Sequence, residues 1–574
     1  MIGLNKIGLN QVQLNRLRLN APFPAYGKMA GGGGSGDGFP QLPGDVTRWH
    51  FGGLTNEMMA AMDDPRIEDA DGKGRFLSFK NFAWKGMSGV GGYAGDFSKW
   101  ANNRDTTEIG ITKSNSKVII DVKVSQGSGT NIVFISKSNL GISNNVTIKI
   151  TSTYPEGVMK FANSASNKYL KLPSNGVITL QDNPEYTRSE MYLYLGSADL
   201  GQITIEQLPL YPGFILGDGV DDFAVTEKEL NFEDTYTVYT AFVPFQNNPT
   251  RNAILCGADS KKTFSMQYSS LVYVSFIAGN NYYINADFVN GLNLFACKRN
   301  GNNICIKNLL TNKVVTGTCG DWVENAGLYY LWKNATYASF ARAGIAGQII
   351  DNGHFTTDEE DENILNWHKK QYPWLFPNQA WTVTGKTNED EDRATIANIT
   401  GNGNDLVLSN FGFAEGSGYN EEGEYAGYLV TDGVDDKIVS SSFGMGKDFT
   451  IVGDWKFIDN KKSGTGLVKG SSFYIYNTMI GLDLYINSGS VKNSLDGIKS
   501  INAACSDGRA YDRNWNEILA NTGNVVGSSG MLEVSSSGGR FDRIAFKNLA
   551  IYPRILSKDD CIKAYNYLQT LKAK

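Results

Sequence analysis

Histidine is nearly missing from this chain: His50, His354 and His368 are the three in 574 residues. That scarcity gives little footing to a Ser-His-Asp relay or a His-rich metal centre. Cysteine is also sparse. Cys256, Cys297, Cys305, Cys319, Cys505 and Cys561 form no C-x-x-C pair, which removes the usual zinc spacing. Four of the six fall in one stretch, where a disulfide is one reading. Buried free thiols, in a protein assembled in a reducing cytoplasm, are the preferred one. No run approaches the ~18 apolar residues of a membrane span, so membrane insertion is not expected. The start Met1-Ile2-Gly3-Leu4-Asn5 lacks the charged and then apolar stretch of an export signal, so an extracellular role would require another exit. Nor is there an excess of either charge. The net −6 comes without a basic stripe, which argues against nucleic acid and is compatible with a neutral glycan.

What is abundant is glycine (64), with 28 tyrosines and 29 phenylalanines, a composition suited to twisted antiparallel sheets with tight turns. More informative is that one module is written twice. Asp218-Gly219-Val220-Asp221-Asp222 returns as Asp432-Gly433-Val434-Asp435-Asp436. Upstream, Ile67 to Gly74 leading to Asn81-Phe82 matches Ile396 to Gly403 leading to Asn410-Phe411. Trp49 with Thr55-Asn56 matches Trp381 with Thr387-Asn388, and Tyr93-Ala94-Gly95 matches Tyr425-Ala426-Gly427. Blocks repeated in a fixed order indicate a tandem of related modules. Each copy closes on a strand, a Ser or Thr followed by acids, and an amphipathic stretch, which predicts one capped helix per module.

The first twenty residues keep a period of five, with Ile2, Leu4, Ile7, Leu9, Val12, Leu14, Leu17 and Leu19 separated by Asn corners. That period fits neither a helix nor a continuous strand. Short apolar-x-apolar strands turning at Asn would satisfy it, making a docking or oligomerisation segment completed by other chains; a frayed tail is the other reading. The pattern resembles pentapeptide repeats only superficially. The expected organisation is 1–29 docking segment, 30–44 glycine-rich linker, 45–100 opening of jelly roll 1, 101–212 inserted β-sandwich, 213–376 remainder of jelly roll 1, and 377–574 jelly roll 2. Short β-branched runs such as Val118-Ile119-Ile120 and Val146-Thr147-Ile148 carry the insertion.

The order Asp/Asn-x-x-Gly-x-Gly, Asn-Phe, Asp-Gly-Val-Asp-Asp and a closing Tyr552-Pro553-Arg554-Ile555-Leu556-Ser557 resembles the laminin-G-like, concanavalin A-like jelly roll. The likeness spans about 380–574; the first copy departs, with Gly353 to Thr357 in place of Tyr-x-Arg. It implies an all-β chain of two such sandwiches with a further β-sandwich inserted in or beside the first, behind an N-terminal anchor. It leaves function open, since these folds serve as lectins, glycosidases and spacers. The combination of jelly rolls, pentads and glycine linker also resembles fibre-like virion proteins of tailed phages from gut bacteria, including the crAss-like group. That resemblance implies a head- or tail-fibre subunit, made in the host cytoplasm and released by lysis. The pentad residues would dock other virion proteins, the chain would form a homo-oligomer, a trimer by analogy, and its partner would be bacterial surface polysaccharide. A purely structural decoration protein and a capsule depolymerase are the alternatives.

For catalysis, a glycosidase on this fold needs two close carboxylates. No strand carries Glu-x-Asp-x-x-Glu, and the acidic run Glu389-Asp390-Glu391-Asp392 reads as a polar loop, so no catalytic residue is assigned and an enzyme is not expected. Asp218, Asp222, Asp432 and Asp436 could hold Ca2+, a hard cation that takes oxygen ligands. The other reading is that Gly makes the turn and the second Asp accepts from backbone donors. No other cofactor is expected. Tyr282, Tyr283, Tyr329, Tyr330, Trp332, Tyr337, Tyr474, Tyr476 and Trp515 are candidate sugar platforms, with a core position the more common fate of each. His354 and His368 read as surface residues.

Overall fold

A computed structural model describes residues 38–573 apart from 101–107, 125–129, 136–145, 156–157, 164–168, 181–190, 196–199, 246–252, 259–263, 269–271, 279, 288–290, 322–324, 334–339, 402, 415, 459–464, 471–472, 478–480, 487–491, 497–500, 520–527, 535 and 538–539. The pentad residues Ile2 to Leu19 lie outside the described residues, as does most of the glycine-rich linker.

Each repeated module is a pair of eight-stranded antiparallel sheets enclosing an apolar layer. Thr235–Pro244, Arg342–Asn352 and Asn293–Asn300 centre one sheet of module 1, and Asp45–His50 pairs with the end of Arg342–Asn352. Phe76–Lys80, Phe223–Thr226 and the hairpin Phe264–Tyr268/Val272–Ala278 belong to the facing sheet. Module 2 repeats the plan on Thr450–Phe457, Ile544–Tyr552, Ile501–Cys505 and Gln379–Thr382. Even the register repeats. Trp49 lies opposite Gln348 and Trp381 opposite Leu549, and the central strand pair is bulged at Ala241/Phe242 and again at Asp454/Trp455.

The insertion is a sandwich of its own, with five- and four-stranded sheets around Val118, Ile120, Ile148, Phe161, Leu193 and Ile203. The chain leaves module 1 after Gly89–Val90 and returns at Ile215–Asp218. Those two strands pair with each other, Val90 opposite Ile215, so the sandwich interrupts the module between neighbouring strands.

Helix α1 (Asp358–Gln371) starts at a capping box between Thr357 and Glu360, and α2 (Lys558–Thr570) at Ser557, whose side chain accepts from Asp560 N. Both helices pack on the outer face of their module's large sheet. This is why Thr235–Pro244 and Ile544–Tyr552 are buried along nearly their whole length rather than on alternate residues. A buried ion network fixes α1. Asp361 Oδ2 lies 2.6 Å from Lys298 Nζ and 3.1 Å from Lys307 Nζ, while Oδ1 accepts from Tyr239 Oη at 2.9 Å. In module 2, Asp454 meets Arg513 at 2.7 Å. Burial works to raise the Asp454 carboxyl, but Arg513, Lys547 and Lys456 outweigh it and hold it well below the usual range.

The modules share a core. α1, the linker residues Tyr372, Trp374 and Phe376, and α2 fill the space between the two large sheets in one apolar cluster. Three consecutive residues of α2 reach three sandwiches. Tyr565 stacks edge-on to Trp515 of module 2, Asn566 accepts from Thr147 Oγ1 of the insertion at 2.6 Å, and Tyr567 Oη accepts from Leu292 N of module 1 at 2.7 Å.

This joint corrects one expectation. His368 is buried, 3 % exposed, and burial with His50 nearby lowers its pKa to about 3; His354 is half-buried against Glu360 at 2.9 Å. His368 is therefore not a surface residue, because the helix that carries it faces a second module, whereas His354 stays partly exposed. Cys297, Cys305, Cys319, Cys505 and Cys561 are buried thiols that form no disulfide.

Two substitutions test this packing. Asp361→Ala leaves the buried Lys298 ammonium without its acid, while Lys307 keeps Asp358 at 2.6 Å, and is expected to cost about 3–5 kcal/mol in chemical denaturation. Tyr567→Ala opens a cavity at the joint, worth about 3–5 kcal/mol; calorimetry is expected to give one melting transition for the unaltered protein and separate ones for the variant.

Candidate functional site

The repeated signatures turn out to be latches. In each Asp-Gly-Val-Asp-Asp turn the first Asp caps its own loop: Val220 N donates to Asp218 Oδ1 at 2.7 Å, and Val434 N to Asp432 Oδ1 at 2.7 Å. The last Asp folds back, accepting from Asp218 N at 2.9 Å and, in module 2, from Asp432 N at 2.8 Å. Gly219 (φ +79°) and Gly433 (φ +75°) take the left-handed conformation, and an added Cβ would lie within 2.8 Å of Arg342 or 3.2 Å of Arg543 N. The Asn of each Asn-Phe block clamps the turn from outside: Asn81 Nδ2 donates to Asp221 O and Asn410 Nδ2 to Asp435 O. Asn56 and Asn388 likewise bond both backbone groups of Val90 and Tyr419. Trp49 and Trp381 donate to Arg75 O and Asn404 O. The blocks that reveal the repeat are therefore the hydrogen bonds that close it.

The same turns gather carboxylates. Asp218, Asp221 and Asp222 have oxygens within 4.8 Å of one another, as do Asp432, Asp435 and Asp436. Two of those oxygens in each turn already accept from backbone N–H groups, while Asp222 Oδ1 is buried without a hydrogen-bond partner. The oxygen set suits a hard cation; the geometry as it stands is that of a self-capped turn. Burial raises Asp222 to about 7 and Asp436 to about 6, partly offset by the backbone bonds they accept.

Among the candidate aromatics, Tyr329, Trp332 and Trp515 are fully buried. Trp332 Nε1 donates to Ala343 O, and Trp515 Nε1 reaches Thr179 Oγ1 of the insertion. Tyr330 is half-buried beside Phe223. The side chains of Tyr282, Tyr283, Tyr337, Tyr474 and Tyr476 lie outside the described residues. The acidic run is a loop, as its composition suggests: Thr387 N donates to Asp390 Oδ2 at 2.9 Å and Lys386 pairs with Asp392 at 2.6 Å.

A site that sequence reading missed lies on the rim of module 1. There, a polar cleft of about 650 Å3 opens between the start of Asp45–His50, Arg75, the segment 229–234 and the end of Arg342–Asn352. Leu230, Phe232 and Ile350 are its buried apolar floor. Asp45 receives Arg75 and Lys73 on its two oxygens. Burial works to raise the Asp45 carboxyl, but these cations hold it below its ordinary value. Asn352 accepts from Glu233 N and donates to Asn231 O, both at 2.8 Å, pinning the segment that carries the acids. The volume falls in the range of about 300–1,000 Å3 typical of small-ligand sites.

No family model matches the chain and no curated protein does. Among solved structures, it aligns with the HCR/D W1238A mutant at TM-score 0.28 and 9% identity, covering 61% of this chain and 90% of that one. It aligns with the binding domain of botulinum neurotoxin serotype C1 at TM-score 0.24 and 8% identity (60% and 86% covered). A Trypanosoma rangeli sialidase gives TM-score 0.24 and 9% identity (87% and 92% covered). Likenesses this distant say nothing of this chain's ligand.

The two raised carboxyls give a pH test. Their folded pKa values lie above the unfolded value of about 3.9, so their contribution to stability is complete below about pH 4 and is lost as pH rises through about 6 for Asp436 and about 7 for Asp222. Asp222→Asn and Asp436→Asn should each flatten the fall of melting temperature between those limits; an unchanged pH profile would show that the carboxyls are not held in this way.

Proposed function

We propose that this chain is a non-enzymatic attachment protein, a fibre or appendage subunit of a tailed-phage particle that adheres to bacterial surface polysaccharide. The observation that carries the reading is the open polar cleft of module 1, set on three sandwiches locked into one body. The glycine-rich stretch before residue 45 supports it as well, because that composition is suited to linking a docking segment to a rigid head. The pentad residues would dock the chain to other virion proteins and assemble it as a homo-oligomer, a trimer in this reading, so that weak sites add through multivalency. Its place would be the virion, assembled in the host cytoplasm and released by lysis.

Calcium at the two Asp-Gly-Val-Asp-Asp turns belongs to the same proposal. Titration calorimetry with CaCl2 on the full chain should then give heat that Asp432→Asn and Asp218→Asn reduce; identical traces would leave those residues as turn caps alone.

The experiment for the main reading is a glycan array that includes host capsule, comparing the full-length protein with residues 45–574. Saturable binding, stronger in the full-length protein, is the expected result. A folded protein that binds no glycan would favour a structural decoration protein, and released sugar fragments would favour a depolymerase, whose acids would be sought in this cleft.

A further inference from the structure

We propose that the rim cleft of module 1 is the saccharide site, and that it takes neutral or amino sugars while rejecting uronic and sialic acids. The inference rests on the adhesin reading above and adds its location and ligand class.

The first argument is chemical. Glu229, Glu233 and Asp234 stand at the cleft, and among the described residues no cation pairs with any of them. Carboxylates only accept, so each can receive hydroxyl protons from neighbouring sugar positions, while Arg75 and Asn231 supply donors for the sugar oxygens. Counting Asp45 with those three acids against Arg75 and Lys73 leaves a balance of −2 around the opening. A sugar carboxylate entering there meets like charge, which is a repulsive element in specificity; a sugar ammonium meets the opposite. The backbone that carries Glu233 is also held in place before any ligand arrives. Asn352 bonds both ends of the 231–233 segment, and Gly353 (φ +82°) leaves room beside Glu233, whose Oε2 would lie 3.1 Å from a Cβ there.

The second argument comes from the other module, which serves as an internal control. Matching Gln348 to Leu549 by their tryptophan partners aligns Asn352 with Pro553, and the shared bulge aligns Glu233 and Asp234 with Gly446 and Lys447. Asn231 aligns with Gly444, and Arg75 with Asn404 through the indole bond each carbonyl accepts. The latches are the same in both copies, yet every polar group of the cleft differs. The fold therefore does not need them. In module 2 one edge of the corresponding rim is used differently: Pro553, the counterpart of Asn352, borders the joint with module 1, while Gly444, Gly446 and Lys447 are exposed. One rim of this fold carries exposed glycines and a lysine in one copy and a set of acids and amides in the other.

The test uses the full-length protein in EDTA, so that no bound cation contributes. An array of neutral, amino, uronic and sialic oligosaccharides comes first, then affinities of Glu233→Ala, Asp234→Ala and Asp234→Lys for the best binder, with melting temperatures to confirm folding. We expect neutral or amino sugars to be bound, each alanine variant to weaken them about tenfold, and Asp234→Lys to bring acidic glycans into range. Binding that persists unchanged in folded variants, or a wild-type preference for acidic glycans, overturns the site while leaving an adhesin. Silence of the wild-type protein on every glycan overturns the adhesin reading itself.

Discussion

Three adjacent side chains of α2 hold this molecule together. Tyr565, Asn566 and Tyr567 point to module 2, the inserted sandwich and module 1 respectively, and the apolar residues around them belong to one continuous cluster. A β-sandwich ordinarily needs only one buried face per sheet, with the outer face in water. Here the outer faces of both large sheets are covered, by α1, α2 and the 372–376 linker. Burying a second face removes more apolar surface from water, at roughly 25 cal/mol per Å2. It also removes the freedom of the modules to swing about one another. The consequence for function is geometric: whatever one module binds is held at a fixed orientation to the other two.

Against that rigid background, shared and unshared residues separate cleanly. The positions repeated in sequence (Asn81 and Asn410, Asn56 and Asn388, the two Asp-Gly-Val-Asp-Asp turns) make equivalent hydrogen bonds in both copies, all of them internal. Repetition thus marks what the fold requires. Difference marks where the copies have separate tasks, and the rim is the sharpest difference: acids and amides in module 1, glycines, a lysine and Pro553 in module 2.

Much of the fold was legible in the sequence. The paired blocks revealed the tandem, turn residues and β-branched runs marked the strands, and Thr357 and Ser557 announced the helices they cap. The turn reading of Asp222 and Asp436 could also be argued from residue type, because Asp beside Gly so often caps its own loop. What could not be read was the joint. His368 looked like a surface residue because nothing local says that a helix face will meet another module. The cleft was hidden for a related reason. Asp45, Arg75, Glu233 and Asn352 are far apart in the chain and are brought together only by the register of Asp45–His50 on Arg342–Asn352.

Hydrogen–deuterium exchange on the full-length protein, with and without host polysaccharide, addresses the central claim most directly. If the rigid body presents its ligand site at the module 1 rim, residues 45–47 and 229–234 gain protection on binding while module 2 is unchanged. Protection confined to module 2 or to the insertion, with the rim unaltered, would contradict it.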